Sequence, residues 1–250
     1  SENLEKGKKI ERINEIEFKN VEFSYNDMPI IENFSLIVQK GEKIALIGKT
    51  GAGKTTIANL LCRFYEPNKG EILINNENIK KFNLKSYRKK IGYVMQDNYI
   101  FDGTILENIN CEQKEVDKET IIKLCKQLNI HDKIISLPMG YETVLKNNGN
   151  ILSEGEKQLI NFARIMLLNP DVIILDEVTS SLSYEMESVI QEAIKILTEG
   201  KICFIIAHRL STIKECDRII LLDKGKILEE GKHEELIAQK GEYYKMITEF

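Results

Sequence analysis

The octapeptide Gly48-Lys49-Thr50-Gly51-Ala52-Gly53-Lys54-Thr55 follows the apolar run Ile44-Ala45-Leu46-Ile47 and leads into Ile57, Leu60, Leu61 and Phe64 at helical spacing. Strand, glycine-rich loop and helix in that order predict an α/β unit and fit the phosphate-cradle pattern G-x-x-x-x-G-K-[ST]. Glycines let the loop backbone close around an anion without Cβ interference, and the helix behind it aims free N–H groups and its positive dipole end at that anion. Lys54 is placed to reach the β and γ phosphates of a nucleotide. Thr55 offers a hydroxyl to Mg²⁺, an ion that completes its octahedral shell with waters and phosphate oxygens.

A second run, Val172-Ile173-Ile174-Leu175-Asp176-Glu177, reads as a strand buried on both faces that ends in two carboxylates. Ligands of open α/β sheets bind at the carboxyl ends of strands. Asp176 is therefore expected to hold Mg²⁺ through water, and Glu177 to polarise the water that attacks a γ phosphate.

Taken in order, Gly48 to Thr56, Gln96, Leu152 to Glu156 (LSEGE), Asp176-Glu177 and His208 resemble the nucleotide-binding domain of ABC transporters, from about Ile16 to the C-terminus. The resemblance is to the exporter branch. It is carried by Tyr25 in VEFSY, Phe101-Asp102-Gly103-Thr104-Ile105, Ala207-His208-Arg209-Leu210-Ser211-Thr212, Asp217-Arg218-Ile219-Ile220 and Asp223-Lys224-Gly225. It implies an α/β fold, a P-loop NTPase core with an antiparallel β subdomain and a helical subdomain inserted at about 97–168. It also implies that Tyr25 stacks on adenine, that Gln96 senses Mg²⁺ and the attacking water, and that His208 contacts the γ phosphate. The residue types suit those roles, since aromatic rings stack on any base and amide or imidazole groups hydrogen-bond to phosphate and water.

The alternation in Glu15 to Phe23 and Phe34 to Val38 predicts half-buried antiparallel strands. Between Gln96 and Leu168 the pattern turns helical, with Asp117 capping a helix that carries Ile121, Ile122, Leu124, Cys125 and Leu128, and Pro138-Met139-Gly140 breaking the chain. This is the part expected to face a membrane partner. Beyond Val172, strands at Ile202 to Ile206 and Arg218 to Leu222 alternate with helices, and a helical tail begins at His233. His131 and His233 are expected at the surface.

Lys and Arg number 35 against 39 Asp and Glu, a net charge of -4 that leaves no nucleic-acid footprint. Lys6 to Lys9 and Arg88-Lys89-Lys90 read as solvated faces. The five cysteines, Cys62, Cys111, Cys125, Cys203 and Cys216, lack C-x-x-C spacing, and several sit at apolar helix or strand positions, as core thiols of a reducing compartment do. No apolar run approaches the roughly 20 residues needed to cross a bilayer. Residues 1–14 are expected to connect a membrane-spanning part to an ABC ATPase domain at 15–250. That domain is expected to be soluble by itself, at the cytoplasmic face of a membrane, with a transmembrane domain of the same polypeptide or complex as its partner.

LSEGE departs from the family's LSGGQ at Glu154 and Glu156. In the family two domains pack head to tail, as homo- or heterodimers, and Ser153 to Glu156 face the ATP held by the other P-loop. A carboxylate about 6 Å from a phosphate charge costs roughly 3 kcal/mol at an effective dielectric near 20, if it points inward. The same residues also form a capping box, in which Glu156 folds back onto Ser153. Ser180-Ser181-Leu182-Ser183 stands where the family has a loop ending in aspartate, and Thr143 to Asn150 departs from the exporters' TVGE-type loop. The departures favour a weakened signature, similar to heterodimeric exporters in which one subunit keeps the catalytic glutamate and the histidine. Three readings stay open: an ATP-hydrolysing export motor, an ATP-gated dimerisation module with weak turnover, and a non-transport ABC ATPase.

Overall fold

The computed structural model describes residues 6–95, 97–111, 116–176, 184–207 and 209–248. They form two compact units, one of Ser1–Gly92, Asp171–Glu177 and Gly200–Phe250, the other of Tyr93–Pro170 and Val178–Glu199.

The chain opens with β1 (Glu15–Tyr25) and β2 (Met28–Gln39), an antiparallel hairpin longer at both inner ends than the alternation predicts. The turn explains the extension: Asn26 and Asp27 both take left-handed backbone angles, φ 45 and 64, the chemistry of a tight hairpin. A bulge between Phe18 and Val21 shifts the register, so Ile16, Phe18, Val21 and Phe23 all reach the core despite the broken alternation. Next come β3 (Lys43–Ile47), α1 (Lys54–Leu61), β4 (Lys69–Ile74), β5 (Glu77–Asn78), α2 (Leu84–Arg88) and β6 (Ile91–Val94). Helix α1 is shorter than its apolar spacing suggests. Arg63 turns left-handed at φ 53 and ends it, which leaves Phe64 outside, half exposed beneath the Arg88 guanidinium.

The second unit holds β7 (Gly103–Thr104), α3 (Ile105–Asn110), α4 (Lys118–Gln127), α5 (His131–Ser136), β8 (Val144–Leu145) and α6 (Glu154–Leu168). Asp117 caps α4 through the Thr120 N–H at 2.7 Å, as expected, and α3 and α4 pack on α6. Then follow β9 (Val172–Asp176), α7 (Tyr184–Thr198), β10 (Ile202–Ile206), α8 (Leu210–Lys214), β11 (Arg218–Asp223), β12 (Lys226–Gly231), α9 (His233–Gln239) and α10 (Glu242–Thr248).

Among the described residues the strands order as β2-β1-β4-β5 in one sheet and β12-β11-β3-β10-β9-β6 in another. In the second sheet β9, β10, β3 and β11 run parallel, and β12 is an antiparallel edge. Every residue of β9 and β10 is buried, which is why both read as continuous apolar runs. Phe18 meets Phe34 edge-on at 5.2 Å and Phe204 at 6.3 Å, joining the hairpin to that sheet.

The segment ahead of β1 is anchored to the first unit. Lys8 pairs with the backbone around Phe82, Ile10 and Ile13 are buried, and the Ile13 N–H donates to Asp171 Oδ2 at 3.0 Å. No helix among the described residues is long and apolar enough to cross a membrane.

Candidate functional site

Strand β3 delivers the glycine-rich loop to the start of α1, and Gly53 makes the junction. Its φ of 103 is a left-handed angle, and a Cβ there would lie 2.6 Å from Ile31 Cδ1, so a side chain fits neither backbone nor space. As N-cap of α1 it brings no side-chain acceptor of its own to the helix start, an arrangement suited to an anion. The buried Lys54 ammonium donates to the carbonyls of Gly48 at 2.7 Å and Lys49 at 3.1 Å, drawing the loop around itself. Ile30, Thr50, Gly51, Gly53, Lys54, Thr55 and Thr56 line a cavity of about 220 Å³ on this loop. Ala52 N donates to Lys49 O, and Gly225 N to Ala52 O, fastening the loop's middle.

Asp176 closes β9, and its buried carboxylate accepts a hydrogen bond from Thr55 Oγ1 at 3.3 Å. A hydroxyl and a carboxylate side by side are hard oxygen donors of the kind Mg²⁺ takes. Among the described residues no cluster of three or more His, Cys, Asp or Glu could hold a metal by itself. An ion at this pair would draw the rest of its shell from water and phosphate, which is how Mg²⁺ is held beside nucleotides.

Tyr25 ends β1, half buried, edge-on to Phe23 at 4.7 Å and to Tyr65 at 5.0 Å. Tyr65 is an aromatic neighbour that the sequence reading passed over.

In the second unit, LSEGE opens α6 with a complete capping box. Glu156 Oε2 accepts from Ser153 N at 2.8 Å, and Ser153 Oγ accepts from Glu156 N at 3.3 Å. Both glutamates also carry a cation. Glu154 pairs with Lys157 at 2.7 Å and Glu156 with Lys133 at 3.2 Å. The Lys157 ammonium beside Glu154 holds that carboxyl below its ordinary range, and the Glu154 carbonyl accepts from Asn98 at 3.3 Å. Gly155 is buried where a Cβ would overlap Met186 of α7, so glycine is what lets the two helices meet. Neither carboxylate is without a counter-charge. Lys133 and Lys157 carried no sequence signal beyond an i,i+3 spacing for the second.

A profile of the ABC transporter family matches residues 31–180. The chain belongs to the ABC transporter family. It is an ABC-type ATPase domain, and nucleotide binding follows from that membership. It is similar, at 45% identity over 94% of its length, to the ATP-dependent lipid A-core flippase of Syntrophus aciditrophicus, of which it spans 39%. A putative multidrug export ATP-binding/permease protein of Staphylococcus aureus is likewise 45% identical over 91% of this chain, which spans 40% of it. The chain thus spans about two fifths of these curated relatives. A bacterial Atm1-family ABC exporter solved with ATP bound superposes with a TM-score of 0.90 at 35% identity, covering 100% of this chain and 43% of that one. The expected α/β fold, a P-loop NTPase core with an antiparallel β subdomain and a helical subdomain, is the fold found.

Within this ABC domain, Gly48 to Thr56 and Asp176 come together in the first unit, and Ser153 to Glu156 stand in the second. Gln96, Glu177, Ser180, Ser181, Leu182, Ser183 and His208 lie outside the described residues. The other two histidines are partly exposed, each with Nδ1 hydrogen-bonded to a tyrosine hydroxyl, His131 to Tyr141 at 2.9 Å and His233 to Tyr243 at 2.8 Å.

Sequence reasoning also passed over Asn108, fully buried on α3. It bonds the backbone of Phe101 and Thr104, and its carbonyl accepts from Arg164 Nε at 2.8 Å. The off-pattern loop at 143–150 has a local reason. Asn147 and Asn148 take left-handed angles, φ 50 and 56, while Asn148 Oδ1 accepts from Ile100 N and Asn147 N donates to Asp102.

Proposed function

We propose that this domain is the ATP-binding and ATP-hydrolysing motor of a membrane exporter. The observation that carries the hydrolytic reading is the Thr55–Asp176 hydrogen bond beside a loop gathered on Lys54. Loop amides and the Lys54 ammonium bind the β and γ phosphates, with Gly48, Lys49, Thr50, Gly51, Ala52, Gly53 and Thr56 shaping the cradle. Tyr25 stacks on adenine. Thr55 and Asp176 would hold Mg²⁺, with Gln96 as a further ligand, and the ion would supply charge neutralisation to the phosphates. Glu177 accepts a proton from water as its oxygen attacks the γ phosphorus and the bond to the β-phosphate oxygen breaks; His208 donates to the γ phosphate.

In this reading the domain works as a head-to-tail dimer with a second nucleotide-binding domain, each ATP lying between one P-loop and the opposite Ser153 to Glu156. Residues 1–14 connect to a transmembrane domain of the same polypeptide or complex, at the cytoplasmic face of a membrane, and 15–250 form the ATPase domain with its helical part at about 97–168. The identity with a flippase and a multidrug export protein supports the exporter assignment. Steady-state ATP turnover with Mg²⁺ tests it: Glu177→Gln should be slower by about 10²–10⁴-fold. A wild type no faster than this variant would replace the motor with the ATP-gated dimerisation module.

A further inference from the structure

The Lys157 side chain is only 9% exposed, whereas its partner Glu154 is 53% exposed. A lysine is rarely this enclosed without a counter-charge, and this one spends its enclosure holding the carboxylate that replaces the family's glycine. Glu156 is fixed twice over, by the Ser153 capping box and by Lys133 from α5, with its side chain 15% exposed. Ser153 accepts the Glu156 N–H through oxygen, and a hydroxyl that accepts keeps its proton to donate. The head of α6 thus presents helix N–H groups, a serine O–H and two neutralised pairs, a start still suited to an anion.

We propose that Lys157 and Lys133 are positioning residues that make LSEGE a competent phosphate-facing signature: each lysine cancels the charge of one substituted glutamate and keeps it off the partner's ATP. The proposal rests on the head-to-tail reading above. Lys157 has the larger effect, because Glu156 stays tied to Ser153 when Lys133 is gone.

The test is a double-mutant cycle on the whole chain: wild type, Lys157→Met, Glu154→Gln and the double variant. The Gln carbonyl oxygen still accepts from the lysine, so Glu154→Gln does not strand the ammonium. ATP-dependent association is followed by sedimentation, turnover by phosphate release, and nucleotide affinity of the monomer by fluorescence. Lys157→Met should weaken association and turnover by about tenfold or more, with monomer nucleotide affinity and melting temperature unchanged. Glu154→Gln in the same chain should restore both to within about twofold of wild type, and Lys157→Arg should keep them. Loss in Lys157→Met without rescue by Glu154→Gln, or no loss at all, overturns the neutralisation. A wild type that neither associates with ATP nor turns it over overturns the head-to-tail reading and this proposal with it.

Discussion

Thr55 and Asp176, 121 positions apart in sequence, share a 3.3 Å hydrogen bond because β3 and β9 run parallel on either side of β10 and end at the same edge of the sheet. That edge is where α/β sheets collect ligands, and the carboxylate arrives there on a strand buried over its whole length. Asp176→Asn should therefore cut Mg²⁺-dependent ATP turnover by about a hundredfold or more, while nucleotide still binds in the presence of a chelator. A coupled ATPase assay beside equilibrium binding separates the two; equal loss in both would point to unfolding.

In the proposed function Tyr25 is the aromatic that stacks on adenine. Replacing it with alanine should weaken ATP binding by about 5- to 150-fold, the equivalent of a stacking contact of ~1–3 kcal/mol. Tyr25→Phe should bind as wild type does. Inorganic triphosphate, which has no base, should bind all three equally, and a parallel loss there would refute the stacking role.

Gly155→Ala forces a methyl group into Met186. Overpacking of this kind costs about 1–3 kcal/mol, or roughly 3–10 °C of melting temperature in a chain of this size. Met186→Ala in the same protein should recover most of the loss. A melting curve unchanged by Gly155→Ala would remove the packing reason for that glycine.

Burial pushes the thiols of Cys62, Cys203 and Cys216 up from 9.0 to about 12 each. An unfolded thiol ionises near 9 and the folded one holds its proton until about 12, so the unfolded state loses protons first as pH rises. Stability is complete below about pH 9 and declines between 9 and 12, with Tyr243, also raised to about 12, adding to the fall. Urea midpoints measured between pH 8 and 11 should drop steadily, and less steeply in Cys203→Ala. A flat profile would contradict the burial of these groups.

The strands that feed the phosphate loop and carry Asp176 were legible because burial on both faces leaves an unbroken apolar run, and the loop itself because glycine spacing has few other uses. The end of α1 was not, since Arg63 turning left-handed has no residue-type signature and Phe64 continues the apolar period. The inner ends of the hairpin were not either, since the register shifts again between Phe23 and Ser24, just ahead of the Asn26-Asp27 turn. At LSEGE the capping box could be read from spacing, whereas the Lys133 pair could not. It joins α5 to α6 across 23 positions of chain, and only the packing of those helices creates it.

The anchored segment ahead of β1 carries a mechanical consequence. Lys8 is laddered to Phe82, Ile13 is fastened to Asp171, and Asp171 immediately precedes the strand that ends in Asp176. A stretch fixed at both ends is a strut, not a tether. Held beside Phe82 at Lys8 and at the root of β9 at Ile13, the segment is built into the same body that carries the Asp176 carboxylate.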